Sequence, residues 1–573
     1  MEGTIGEIIK ELRKQRKLTQ ERLAELVGVT PQAISRWERE VGYPDIAHIV
    51  PIAKALGVST DEILGASGGN DQSQIKEYIA LSLSASEKGD FEKSIEILKE
   101  ARAHFPRSYI IQLKLDEARS TYNSINALRA GFGRVNINSM RGIRLRGNGL
   151  VRPMDGVLDD LEINALAVSD GEKTALMIAI DSCAVEWECA VEFKKSINEA
   201  TGIPKDAIYL HAIHTHTAPF LKKTTADPLE QEYFCFVNRK MAEAAMLALE
   251  DMERAKMGFN VGIAPELAFV RRFLMKDGTT RTNPGINDPQ VERPIGEADH
   301  RVNVVRFDRE GKESIVLVNY GNHPDVIGGC KLSADWPGAL RREVERIIPG
   351  TKCLFFNGAL GDVNHINIFP KIRGEERMGE SAFGHGYAYS QYMGRALACT
   401  VAQAYDFTKY REVKSIGYMQ KMITVPTNMP VPAEIPEAYK IQRLYKEKGL
   451  EGLPGDEMEQ NTLFYESKRM LDFENGPESM EIQISAVSIG PLVLIGAPGE
   501  SFVDIGLTLK KAKGWDLVLP TSITNGYYAY LPTKEAFDEG GFEARTSEFK
   551  RGVAEIIIEE SQKMLDELLK ERK

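Results

Sequence analysis

The chain runs to 573 residues, more than one hydrophobic core usually supports, so two or more domains are expected. Apolar residues make up 43% and charged residues 27%, ordinary values for a soluble globular protein, and no apolar run approaches the roughly eighteen residues of a helical membrane span. The net charge of −11 argues against a protein that coats nucleic acid, while leaving room for a small module with a local basic face.

The first residues, Met1, Glu2 and Gly3, lead into a charged amphipathic pattern without the apolar stretch of a secretory signal, so a cytoplasmic protein without membrane contact is expected. From Ile5 to Leu64 apolar residues recur at helical spacing in short bursts: Ile8, Ile9 and Leu12; Leu23, Leu26 and Val27; Ile34 and Trp37; Ile49, Ile52 and Leu56. That spacing predicts an all-α module of four or five short helices over residues 1–65. Thr19 can cap the helix Gln20–Val27, Gly28 permits a tight turn, and Thr30 followed by Pro31 supplies an N-cap and a first-turn proline for the next helix.

The stretch LTQERLAELVGVTPQAISRWERE with the following IAKALGVSTDEIL resembles the Cro/C1-type (Xre) helix-turn-helix family. The resemblance implies that the helix after the turn enters the major groove of double-stranded DNA, with Gln32, Ser35 and Arg36 placed at base edges. It also implies a backbone phosphate contact for Gln20 and a homodimer on paired half-sites, with Thr30 at the start of the reading helix among the DNA-facing residues. Ile34 and Trp37 are expected to face inward. The other reading is a helical protein-interaction module, because nine Lys and Arg residues are offset by ten Asp and Glu residues in 1–65.

Residues 66–74, ASGGNDQSQ, read as a flexible linker. The next segment, 75–125, carries helical apolar stripes around a Lys-Gly-Asp turn, and its GDFEKSIEILKEARAHFPRS resembles part of a tetratricopeptide repeat. A single repeat cannot bury its apolar face alone, so a spacer or dimer-contact role is expected.

From about Val135 onward apolar strand-like runs alternate with helical stretches, predicting a large α/β domain over 130–573. Polar residues follow these runs: His214 and His216 after AIYLHAI, His323 after VLVNYGN, Glu500 after PLVLIGAPG, and Tyr530 in TNGYYAYLPT. Imidazole with carboxylate is a ligand set for catalytic zinc, and three to four ligands leave room for water. His214 and His216, two residues apart, would share one face of an extended strand. The six cysteines are scattered without a C-x-x-C pair and suit neither a thiolate zinc site nor a disulfide framework.

HTHTAP, NHPDVIGG with LSADWPG, NGALGDVN, APGE and YYAYLPT follow the order found in neutral ceramidases, and residues 130–545 resemble that family's catalytic domain. The resemblance implies one Zn2+ per chain held by His214, His323, Glu500 and Tyr530, hydrolysis of an amide, and His216 assisting either proton transfer or the oxyanion. A substrate-holding arginine corresponds to Arg272, with Arg271 as the alternative. Asp335 and Asp362 either orient ligands from behind or serve in turns.

Three departures bear on substrate. Asn364 stands where the family carries a serine, which leaves a zinc-based route and excludes a serine nucleophile at that position. HTHTAP has Ala218 and Phe220 where glycine-rich residues are usual, so the pocket beside the metal should differ. The chain closes about thirty residues after FEAR with a charged helix, so a lipid-surface role is not expected and some other N-acyl compound is. The leading expectation is therefore a DNA-binding regulator fused to a zinc amidase. The alternatives are a regulator whose hydrolase-like domain senses a small ligand without turnover, and a hydrolase whose helix-turn-helix serves assembly.

Overall fold

The computed structural model describes residues 4–64, 69–87, 90–106, 108–125, 128–147, 152–370 and 384–572. It divides into two compact units, Met1–Asn126 and Ala127–Lys573.

The first unit is helical. Five helices fill the expected module: α1 Ile5–Gln15, α2 Gln20–Val27, α3 Pro31–Glu38, α4 Ile46–Leu56 and α5 Thr60–Ile63. Their ends are set locally. Thr19 accepts from the Arg22 N–H, Thr30 from the Ala33 N–H with Pro31 behind it, and Asp45 from the Ala47 N–H. Gly28 closes α2 at φ 79°, a left-handed angle that a side chain would strain. Ile8, Ile9, Leu12, Leu23, Val27, Ile34, Trp37, Ile49, Ile52 and Leu56 form one core, whereas Leu26, grouped with them by spacing, is 47% exposed because α2 turns it outward.

Residues 66–68 of the expected linker lie outside the described residues, and 69–74 are already helical, opening α6 Gly69–Glu87. With α7 Phe91–His104 and α8 Tyr109–Ile125 this makes three helices, the number that one two-helix repeat and a further helix would give. The Tyr109 hydroxyl donates to the Pro44 carbonyl at 2.7 Å, and its ring lies 5.6 Å from that of Tyr43, which ties α8 to the loop before α4.

The second unit is α/β and built on two sheets. The larger runs in the order Thr351–Asn357, Ser314–Tyr320, Arg301–Arg309, Glu253–Ile263, Arg129–Asn136, Glu162–Ser169, Thr174–Ile180, Ile208–Ala212, with Lys409–Arg411 paired to Glu253–Ile263. Its centre is antiparallel, and the outer pairs Ser314–Tyr320 with Thr351–Asn357 and Thr174–Ile180 with Ile208–Ala212 are parallel. The smaller sheet runs Ile416–Pro426, Ser479–Ile489, Leu492–Gly496, Leu517–Thr521, its last pair also parallel. Apolar residues of both sheets and of helices Trp187–Thr201, Pro228–Glu250 and Tyr387–Asp406 make the main core.

Loops leaving the carboxyl ends of parallel strands are where side chains distant in sequence can meet. Here Ile208–Ala212, Ser314–Tyr320, Thr351–Asn357, Leu492–Gly496 and Leu517–Thr521 all send their following loops toward one place, and an isolated bridge between His211 and Thr524 joins the two sheets there. Among the described residues no helix is long and apolar enough to cross a membrane.

Candidate metal centre and helix-turn-helix face

The convergence rests on a buried polar network. His211 Nδ1 lies 2.9 Å from the Ser522 carbonyl and so donates to it, while His211 Nε2 accepts from the Asn357 N–H at 2.8 Å. Asn357 Nδ2 donates to the Ile213 and Asn322 carbonyls, and its Oδ1 accepts from the Asn322 N–H. Burial pushes the His211 imidazole down to about 3, which keeps it neutral. One histidine and one asparagine thus lash the ends of three strands together.

The strand carrying HTHTAP ends at Ala212, one turn earlier than an extended HxH would need. His214 then takes φ 75°, a conformation rare for a side-chain-bearing residue and one that clusters at functional sites. The expected strand face is therefore replaced by a strained turn, yet the two imidazoles still meet, with Nε2 atoms 3.3 Å apart.

His214, His323 and Glu500 form the centre, with one ligand atom from each lying within 4.8 Å of the others. His214 Nδ1 is 2.7 Å from the Cys183 carbonyl, and His323 Nδ1 is 2.8 Å from the Leu360 carbonyl. Carbonyls only accept, so both Nδ1 atoms donate and both Nε2 atoms are turned toward Glu500. His323 Nε2 lies 3.1 Å from Glu500 Oε2, and His214 Nε2 lies 3.6 Å from Oε1. Gly361 allows this packing, since a Cβ there would meet the Glu500 carbonyl at 2.4 Å.

The charges agree with the geometry. Burial alone would raise the Glu500 carboxyl, but His214 and His323 hold it well below the usual range. Burial alone would lower His214, but Glu500 and Cys183 hold it well above. With Nδ1 already donating, the proton held on His214 sits at Nε2 facing Glu500, and an ion bound there would have to displace it. His216 is pushed down to about 3 by burial and by His214, so it stands as neutral imidazole. Two oriented imidazole Nε2 atoms and an ionised carboxylate fit a divalent ion once His214 gives up its extra proton.

The remaining expectations divide. Tyr530 pairs in parallel register with Glu500, and its ring lies under the Arg271 guanidinium at 5.3 Å. Arg271, and not Arg272, belongs to the centre: Arg271 Nη1 is 3.4 Å from His323 Nε2, and its Nη2 donates to the Gly361 carbonyl at 2.7 Å. Arg272 shares buried Glu543 with Arg271 but carries its remaining donors to Glu539 and the Gly540 carbonyl, away from His323. Asp362 Oδ1 accepts from the Val503 N–H and fixes the segment after Glu500. Asp335 accepts from the Ile327 and Trp336 N–H groups, and Trp336 Nε1 in turn donates to the His323 carbonyl at 3.1 Å. Both acids brace backbone and neither touches a ligand side chain. Asn364 bonds Asn283 at 2.8 Å and caps Ile366.

Sequence reasoning passed over Tyr527, whose hydroxyl donates to Glu500 Oε1 at 2.8 Å, and Cys183, whose Sγ lies 3.9 Å from His214 Nδ1. The paired tyrosines of NGYYAY were the available signal for the first.

On α3 of the helical unit Gln32 and Arg36 are exposed, Ser35 is half-buried, and Ile34 and Trp37 face the core. Thr30 caps the helix with its side chain. Gln20 Nε2 donates at 2.8 Å to Glu38, which Arg13 also holds, so Gln20 is engaged inside the module.

The family profile described as helix-turn-helix matches residues 9–63. The HTH-type transcriptional activator BcrR of Enterococcus faecalis is 43% identical over 59 residues, 10% of this chain and 29% of that one. The HTH-type transcriptional regulator YobD of Bacillus subtilis is 33% identical over 75 residues, 12% of this chain and 67% of that one. Through these residues the chain belongs to the helix-turn-helix family. The match to BcrR spans less than a third of that protein's length.

The neutral ceramidase of Pseudomonas aeruginosa superposes with a TM-score of 0.59 at 15% identity, covering 78% of this chain and 75% of that one. At that identity the likeness establishes a ceramidase-like fold for the larger part of the chain.

Proposed function

We propose that the chain is a DNA-binding regulator fused to a divalent-metal-dependent hydrolase of linear amides, with zinc as the ion, one per chain. The observation that carries the hydrolase reading is the pair of Nε2 atoms, from His214 and His323, fixed by backbone carbonyls against the Glu500 carboxylate. The ceramidase-like fold supports it.

His214, His323 and Glu500 would hold the ion, with Tyr530 as the fourth donor. When bound, the ion would supply Lewis acidity, acidifying water and polarising an acyl carbonyl. Tyr527 orients Glu500 through its hydroxyl hydrogen bond. Arg271 carries a guanidinium beside His323, placed to donate to an acyl oxygen as charge develops on it. His216, its Nε2 3.3 Å from His214 Nε2, is the side chain placed to pass a proton to the departing amine nitrogen. Net hydrolysis adds hydroxyl to the acyl carbon and hydrogen to that nitrogen.

For the helix-turn-helix, exposed Gln32 and Arg36 on α3 support base contacts in the major groove, with Ser35 and Thr30 beside them, and the module acts as a homodimer on paired half-sites. Elemental analysis of the purified protein, with turnover of a fluorogenic N-acyl amide before and after chelation, tests the hydrolase reading. About one zinc per chain with chelator-sensitive turnover is expected. Metal without turnover would make the domain a ligand sensor, and absence of metal would overturn the site.

A further inference from the structure

Beside the metal cluster lies a guanidinium that the hydrolytic reading leaves without a role. The Arg146 guanidinium carbon lies over the Tyr527 ring, 4.9 Å from its centroid, and Tyr527 donates to Glu500. Its side chain is 16% exposed. Arg146 Nη1 is bonded to Glu186 at 2.8 Å, and its Nε and Nη2 donors have no acceptor among the described residues. The Tyr527 ring and the Glu186 bond hold the guanidinium in place, and the edge formed by Nε and Nη2 is the two-pronged one that matches a carboxylate.

The surroundings mix cations with acids. The half-buried Phe220 ring, in the altered HTHTAP loop, is approached by Arg146 at 5.8 Å, Arg144 at 5.7 Å and Lys222 at 5.9 Å. Arg144 is neutralised by buried Glu230, whereas Lys222 has no ion-pair partner among the described residues. The acids on this side are Glu186, whose side chain is 41% exposed, Asp227 and Glu230 against Arg144, and Glu548. Phe220 occupies the place where the resembling family is rich in glycine, and these three cations gather around its ring.

We propose that Arg146 binds an anionic group of the substrate, and that the amides this domain hydrolyses are N-acylated amino acids whose carboxylate lies on the Tyr527 side of the cluster. The inference rests on the hydrolase reading and adds to it the charge of the substrate. An uncharged amide would leave the Nε and Nη2 donors desolvated without an acceptor when the site is filled, which discriminates against it.

The test uses the full-length zinc-loaded protein and two probes that differ only in charge, N-hexanoylglycine and N-hexanoylglycinamide, with hexanoate release and calorimetric binding both measured. The wild type is expected to prefer the acid by about tenfold or more in kcat/KM. Arg146→Ala should remove the preference through KM for the acid, and Arg146→Lys should restore part of it, separating charge recognition from a folding defect. Equal kcat/KM for the two probes, or a preference that survives in Arg146→Ala, would overturn the proposal. Hydrolysis of neither probe would refute turnover of this class, and the binding isotherms then decide the subsite. Acid bound more tightly only when Arg146 is present upholds it, and acid bound no more tightly than amide overturns it.

Discussion

His323 Nε2 stands 3.1 Å from Glu500 Oε2 with the Nδ1 proton committed to the Leu360 carbonyl on the far side of the ring. Two acceptors at that separation are stabilised by a cation between them. Replacing His214 and His323 together by alanine should therefore reduce bound metal from about one per chain to none and abolish turnover with it. Elemental analysis beside the turnover assay reads both, and metal retained at the wild-type level would refute the ligand assignment.

Tyr527 and Tyr530 should separate by role. Tyr527→Phe removes the hydroxyl that orients Glu500 without removing a ligand, so metal affinity should fall about 10–100-fold. If Tyr530 is the fourth donor, Tyr530→Phe should cost more affinity than that. Competition with a chelating dye measures both, and the reverse order would exchange the two assignments.

The paired arginines offer a control made by the chain itself. Arg271→Lys keeps a charge against buried Glu543 but loses the fork that reaches both Gly361 and His323, so kcat/KM should drop about 100-fold. Arg272→Lys, directed at Glu539, should leave kcat/KM within about threefold while lowering thermal stability by about 1–2 kcal/mol. Equal losses of turnover in the two variants would remove Arg271 from its special place.

Which parts of this could be read along the chain follows from how local each signal is. The caps Thr19, Thr30 and Asp45 act within three residues of themselves, so the helices of the first unit were legible. His214, His323 and Glu500 were legible by chemistry and by position after apolar runs, and the structure brings them together. The choice between Arg271 and Arg272 depended on which guanidinium reaches His323, which spacing alone leaves open. His211 was hidden because its role exists only after Ser522 and Asn357 arrive from more than a hundred residues away. The strained turn at His214 was hidden for the same reason, being imposed by backbone bonds to Ser182.

That buried histidine predicts an acid limb in stability. His211 binds its proton near 6.5 when unfolded and only at about 3 when folded. Between those values the unfolded state carries the extra proton, so stability rises with pH through this window, is fully present above about 6.5, and is lost as pH falls toward 3. His211→Asn should flatten the slope of unfolding free energy between pH 4 and 6 by up to about 1.4 kcal/mol per pH unit, and should cost about 1–3 kcal/mol at pH 7 through the lost bond to Asn357 or Ser522. Chemical denaturation across that range measures both quantities. An unchanged slope would mean that His211 is not the titrating group.

For the helix-turn-helix, the exposed pair on α3 makes the expected loss specific to DNA. Gln32→Ala and Arg36→Ala leave the core residues Ile34 and Trp37 in place, so the fold should persist while each lost base contact costs about 1–3 kcal/mol of discrimination. Gln20→Ala probes a different point. Because Gln20 is held by Glu38, its loss should disturb the buried Arg13–Glu38 pair and lower the melting temperature of the first unit before it changes affinity. Binding titrations against a selected operator at two salt concentrations, with melting curves alongside, distinguish the cases. A salt-independent wild type would exclude DNA as the ligand, since phosphate contacts release counterions and make affinity fall as salt rises. Metal content and amide turnover should be the same in the α3 variants as in the wild type, because His214, His323 and Glu500 belong wholly to the second unit.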